Sequence, residues 1–220
     1  WKGQEAESKI DHEAIARAHR REQERLIQAR RAAAARAKEI VSAARLEAHP
    51  YLDAKCFEGR HGLVWTKDDV RLLVVPMFLG KEIVGCQLIG EDGGKKFLTG
   101  QQTKGVVHAI GNGRPVWCEG YVTGLSVQSA LSLARMRCQV VVCFSAHNLQ
   151  HLARDGYVVA DNDASGTGEK VARATGLPYW MSPVVGHDFN DYWREVGGFR
   201  ASQELKRALM RRPEAVAMPP

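Results

Sequence analysis

The sequence predicts an α/β protein: a parallel sheet flanked by helices, preceded by a small mixed α/β subdomain and a long N-terminal helix. Three observations carry this. Residues 4–47 contain neither Gly nor Pro and are built from Ala, Arg, Glu and Lys, the composition of a helix. Two apolar runs then flank Gly80-Lys81 in "RLLVVPMFLGKEIVGCQLIG". From Arg114 onward, short apolar runs alternate with helically spaced apolar positions, the pattern of a parallel sheet covered by helices.

A helix of roughly forty residues would run roughly 60 Å. Its large apolar residues, among them Ile10, Ile15, Leu26, Ile27, Ile40 and Leu46, keep no heptad, so a coiled coil is not expected. Arg20, Arg21, Arg30, Arg31 and Arg36 would suit a basic arm on nucleic acid, but Glu5, Glu7, Glu13, Glu22 and Glu24 dilute that charge. A connector between domains is the expectation for residues 1–48. His49-Pro50 breaks the helix.

Residues 49–112 are expected to form the subdomain. Its two strands meet at a tight turn at Gly80-Lys81, and Pro76 suggests an edge or a strand end. The Gly/Lys-rich segment that follows is expected to hold loops around one short strand, with Lys95, Lys96 and Lys104 exposed. Residues 113–198 carry the alternation. Strands are expected at 115–118, 140–144, 157–160 and 179–184, and helices at 123–136, 148–154 and 168–174. Helices follow from 191 to 211, and 199–220 reads as a C-terminal helix and tail.

Hydrophobic content of 45% with 25% charged residues fits a folded globular chain. No run is long enough to span a membrane. The chain opens on Trp1 and is expected to be a piece of a longer protein. The net charge of +6 suits a polyanionic partner. Five cysteines, an odd number with no C-x-x-C pair, read as reduced core residues of a cytoplasmic protein. No zinc ribbon or P-loop is present.

Working residues of open α/β sheets gather at the carboxyl ends of the strands. Here those ends are acidic: Glu119 after the first strand, Asp161 and Asp163 after the third, and Asp188 with Asp191 after the fourth. Clustered carboxylates repel unless a cation compensates, and hard oxygen donors favour Mg²⁺ or Mn²⁺. Two other readings compete. Asp161-x-Asp163-x-Ser165-Gly166 resembles the start of a calcium loop, but position twelve is Ala172 and a strand precedes it. Asp163 or Ser165 would also suit a helix cap, which accounts for one residue and not for the set. His147 and His151 lack the H-E-x-x-H signature and read as structural or surface histidines. Cys118 reads as a packed strand residue rather than a nucleophile.

Glu119-Gly120, the Asp161-x-Asp163 pair before a helix with Gly166, and their order along the chain resemble the TOPRIM domain of primases, topoisomerases and certain nucleases. The segment "RLLVVPMFLGKEIVGCQLIGEDGGKKFLTG", with "KGVVHAIG", "EGYVTGLSV" and "GHDFNDYW", resembles DnaG-type primases and, more closely, those of phages and mobile elements. The resemblance spans residues 49–196. It implies a DNA primase core that makes primers on single-stranded DNA from nucleoside triphosphates. Glu119 would be the catalytic glutamate or a metal ligand. Asp161, Asp163 and Asp188 would be metal ligands for Mg²⁺ or Mn²⁺, and Lys95, Lys96 and Lys104 a basic strip for phosphates. A helicase or a zinc-binding domain would lie outside this chain.

The match departs from the family at two places. Thr123 stands where such primases carry an Asp, and the last motif reads Asp188-Phe189-Asn190-Asp191. The roles of Gly120, Thr123, Asn190 and Asp191 therefore stay open. A TOPRIM-type nuclease and a non-catalytic nucleic-acid-binding module are the alternatives.

Overall fold

The computed structural model describes residues 12–210; the expected start of the first helix and the C-terminal tail lie outside them. Helix α1 (His12–Ala43) rests on the protein through Ala33, Ala37 and Ile40, small or slim residues at helical spacing that admit close approach. Residues 12–28 of it are exposed.

The helix stops four residues short of the expected Glu47. Strand β1 (Arg45–Ala48) pairs antiparallel with the start of β2 (His61–Lys67), Arg45 opposite Val64. Local propensity favoured helix there, and pairing to a distant strand overrides it. His49 and Pro50 start a helix and end none, since α1 has already stopped at Ala43 and β1 intervenes. In α2 (Pro50–Ala54) the proline takes the first position and His49 Nδ1 accepts the Tyr51 N–H at 3.3 Å.

The first sheet has the order β1-β2-β3-β4-β5, with β3 (Val70–Leu79), β4 (Glu82–Ile89) and β5 (Lys95–Phe97), and all its pairings are antiparallel. The expected turn lies at Gly80-Lys81, where Leu79 faces Glu82 and Gly80 takes φ 61°. Pro76 is neither on an edge strand nor at a strand end: β3 is the central strand. Its missing N–H costs nothing because the β2 ladder ends at Val64–Leu73. On that side the Pro76 carbonyl instead accepts from His108 Nδ1 at 3.0 Å. One face of this sheet, with Val74 and Cys86, packs on α1. The other, with Leu73, Val75 and Ile89, packs on α2 and on Val122 and Leu125 of the helix described next.

The second sheet has the order β10-β9-β7-β8-β6. Strands β7 (Arg114–Cys118), β8 (Cys138–Val142), β9 (Tyr157–Ala160) and β10 (Tyr179–Met181) run parallel. Strand β6 (His108–Gly111) closes one edge antiparallel to β8, so the Gly/Lys-rich segment holds two short strands rather than one. Helices α3 (Tyr121–Leu133), α6 (Phe189–Val196) and α7 (Gly198–Met210) share a core on one face with Val116, Val140 and Val159. Helices α4 (Ala146–Leu152) and α5 (Thr167–Thr175) cover the other face over Val141, Val158 and Ala160. The mixed α/β architecture with a parallel sheet is the expected one.

From β7 the chain moves to β8 on one side and then to β9 on the other. The crevice of this sheet therefore opens between the ends of β7 and β9, where strand order reverses.

Candidate functional site

A cleft of about 200 Å³ opens at that crevice, between the second sheet's carboxyl rim and the α1-distal face of the first sheet. Glu119, Gly120 and Thr123 line it from the β7–α3 junction, Phe144 from the end of β8, Asp161 from the end of β9 and Asp188 from the start of α6. Gln87 and Lys95 reach it from the first sheet, and Tyr51 and Lys55 from α2 and the residue after it.

Asp161 is the least compensated of the acids. Its Oδ1 is buried and has no hydrogen-bond partner. Burial, then the charges of Asp188 and Glu119, push its carboxyl up to about 7, against a pull downward from Lys95. Glu119 is likewise raised, first by burial and then by Asp163, with Lys95 again opposing.

Asp163 is placed differently. Its carboxylate receives the N–H of Ser165 at 2.9 Å, of Thr167 at 3.2 Å and of Gly168 at 2.8 Å, together with the Ser165 hydroxyl. These bonds, the Ser165 hydroxyl first, hold its carboxyl down at about 2. Asp163 thus caps α5, one of the two roles its sequence position allowed. Gly168 is required beside it: a Cβ there would lie 2.0 Å from the Asp161 carbonyl oxygen.

Asp188 caps α6. Its Oδ1 accepts the Asp191 N–H at 2.9 Å, and Asp191 Oδ2 accepts the Asp188 N–H at 3.3 Å, a reciprocal capping box. Its Oδ2 accepts from the Thr123 hydroxyl at 2.9 Å. Asp191 therefore serves the helix end and also faces Arg194 at 3.8 Å. Asn190 is buried away from the cleft lining. Its Nδ2 donates to the Lys55 carbonyl at 3.1 Å and to Ser126 Oγ at 2.9 Å, so it ties α6 to both neighbours.

The three lysines are not brought together. Lys95 pairs with Ile89 on the face toward the cleft, while Lys96 pairs with Leu88 on the α1 face, since opposed residues share a face. Lys104 lies exposed on the loop before β6. That loop is pinned by buried Asn148, whose Oδ1 accepts the Gly105 N–H at 2.8 Å. Asn148 Nδ2 meets the carbonyls of Thr103, Val106 and Cys143 at 2.9–3.0 Å.

Several members of this neighbourhood left no distinct mark in the sequence. Asn148 and Tyr51 belong to no motif, and Gln87 lies in the segment that begins at Arg71, where nothing singles it out. Asn162, between the two aspartates, fastens the segment that leads to Asp188. Its N–H donates to His187 O at 3.1 Å and its Nδ2 to Ser182 O at 2.9 Å. The Asp-Asn-Asp run was the available signal. His147 and His151 are exposed on α4, and Cys118 is fully buried with its thiol pushed far up, first by burial, as a packed strand residue would be.

The donor chemistry fits a hard divalent cation: the cleft offers carboxylate, hydroxyl and amide oxygens, one carboxylate oxygen being buried and unpartnered. Among the described residues no three His, Cys, Asp or Glu side chains converge on one metal-sized point as they stand. An ion held here would engage Asp161 first and draw further oxygens from Glu119, water or substrate.

No family model matches the chain. Among solved structures, the fold is similar to a chain in that of the bacteriophage T7 lagging-strand DNA polymerase interacting with primase domains of two gp4 subunits bound to an RNA/DNA hybrid and dTTP. The two are 14% identical, with 76% of this chain and 92% of that chain covered and a TM-score of 0.49.

Proposed function

We propose that the chain is the catalytic core of a DNA primase, joining nucleotides on a single-stranded DNA template with Mg²⁺ or Mn²⁺. The observation that carries this reading is Asp161. A buried carboxylate oxygen without a partner shares a cleft with Glu119, Asp188 and the lysines Lys55 and Lys95, at the switch point of a parallel sheet. Such a group, once ionised, is costly unless a cation meets it. The resemblance of residues 49–196 to primases of phages and mobile elements supports the choice among phosphoryl-transfer chemistries.

Asp161 and Glu119 would hold the cation, with Asp163 and Asp188 as the surrounding negative field. The bound ion would stabilise charge on the transferring phosphate. Glu119 would serve either as a ligand of that ion or, if left free of it, as the acceptor of the attacking primer hydroxyl's proton. Lys95 would contact a phosphate, and Lys96 and Lys104 would attract the nucleic-acid backbone in a sequence-independent, salt-sensitive way. Thr123 replaces a carboxylate by a hydroxyl that orients Asp188, so the site works with one acid fewer than the family pattern.

The test is template-directed synthesis with labelled nucleotides and Mg²⁺ or Mn²⁺, with Glu119→Gln and Asp161→Asn as controls. Primers made by the wild type and by neither variant support the reading. Nicking of plasmid by Mn²⁺ and the protein without nucleotides identifies a nuclease instead. Binding of single-stranded DNA with no metal uptake by calorimetry identifies a non-catalytic module.

A further inference from the structure

Beside the carboxylates, Phe144 of the cleft lining meets a second ring, Phe97, and the proposed chemistry leaves both unused. Phe97 is 43% exposed, on the edge strand β5. It stands two residues from Lys95, on the same face of the sheet by strand alternation. Its ring meets that of Phe144 edge to face, with centroids 6.4 Å apart and planes at 78°. Phe144 lines the cleft with Glu119 and Asp161.

Phe144 holds this position in a left-handed backbone conformation, φ 65°, which is rare for a bulky residue and persists only where its surroundings impose it. Its N–H donates to the Glu119 carbonyl at 2.9 Å, continuing the β7–β8 ladder past the strand ends. The same short segment therefore fixes the backbone of Glu119 and aims an aromatic ring at the cleft mouth. An exposed ring beside a lysine and an acidic site matches a ligand with a flat aromatic group close to a phosphate.

We infer that Phe97, backed by Phe144, stacks on the base of a nucleotide whose phosphates lie at Lys95. The inference rests on the primase reading of the cleft and names a positioning element within it. The shared chemistry, a nucleobase carrying phosphate, belongs both to an incoming nucleoside triphosphate and to a template strand.

Calorimetry with Mg²⁺ compares a nucleoside triphosphate with inorganic tripolyphosphate, and a short single-stranded oligonucleotide with its abasic counterpart. Phe97→Leu keeps apolar bulk without a π-face, and Phe97→Tyr keeps the π-face. Phe97→Leu is expected to weaken base-bearing ligands by roughly 5- to 150-fold while tripolyphosphate and the abasic strand bind as before. Phe97→Tyr restores affinity, and Lys95→Ala weakens ligands with and without a base. In synthesis, Phe97→Leu raises the KM of the ligand whose base it holds, nucleotide or template, far more than it lowers kcat. A loss confined to the oligonucleotide assigns the ring to a strand base; a loss confined to the triphosphate assigns it to the incoming nucleotide.

Equal binding of base-bearing and base-free ligands by the wild type, or undiminished binding by Phe97→Leu, overturns the inference and leaves the primase reading standing. Absence of synthesis by the wild type removes that reading, and the base preference in binding still decides the role of Phe97.

Discussion

Thr123 Oγ1 donates a 2.9 Å hydrogen bond to Asp188 Oδ2 across the floor of the cleft. The two residues are 65 apart in sequence, and the bond locks the start of α3 to the cap of α6. Both oxygens of Asp188 then have protein donors, one from the helix it caps and one from Thr123. The Thr123 hydroxyl thus steadies the neighbouring Asp188 carboxylate without adding a charge of its own.

Replacing Thr123 by Val keeps the shape and deletes the donor. Denaturant unfolding is expected to show a loss of about 0.5–1.5 kcal/mol. Thr123→Asp sets a new carboxylate against Asp188 at a buried position. It should lower Tm in chelator, and Mn²⁺ should recover more of that loss than it adds to the wild type.

Asp161→Asn should abolish synthesis and yet stabilise the metal-free protein near pH 8. The Asp161 carboxyl is raised in the folded state to about 7 from an ordinary 3.8. Stability linked to it is complete below pH 4 and is lost as pH rises toward and through 7, because the folded state resists ionisation. Each tenfold change in acidity is worth about 1.4 kcal/mol, so the gain at pH 8 is on the order of a few kcal/mol. Unfolding curves of wild type and variant should converge at pH 4; a variant less stable than wild type at pH 8 would refute the assignment.

Asp163→Ala is expected to act with the opposite sign. It removes the α5 cap and costs about 1 kcal/mol at pH 7. The Asp163 carboxyl is held down at about 2, so its contribution is present above pH 4 and fades as pH falls through 2. Circular dichroism melts of the two aspartate variants across pH separate the cap from the uncompensated acid.

Asn148→Ala leaves the Gly105 N–H and the carbonyls of Thr103, Val106 and Cys143 without their side-chain partner. A loss of about 2–3 kcal/mol is expected. Faster hydrogen exchange at Gly105 should accompany it, since the loop that carries Lys104 is released.

The alternation of apolar runs after Arg114 and the Gly80-Lys81 turn were legible because each is written in neighbouring residues. The rim of acids was legible for the same reason: strands end where the apolar run ends, and Glu119, Asp161 and Asp188 follow those ends. Strand β1 was not legible, since Arg45–Ala48 has helical composition and becomes a strand only against His61–Val64. Nor was Pro76 in a central strand, which needed the β2 ladder to stop at Val64–Leu73.

The amino-acid order alone settled the fold class and the gathering of carboxylates at one edge of the parallel sheet. Tertiary structure decided how those groups divide their work. Asp163 spends its oxygens on α5, Asp188 on α6 and Thr123, and Asp161 keeps one oxygen buried and unpaired. It also decided that Lys95 faces the acids while Lys96 turns to α1. Residue type and spacing set which groups are present, but the donor each oxygen finds comes from segments far away in the chain, and only packing brings these within reach.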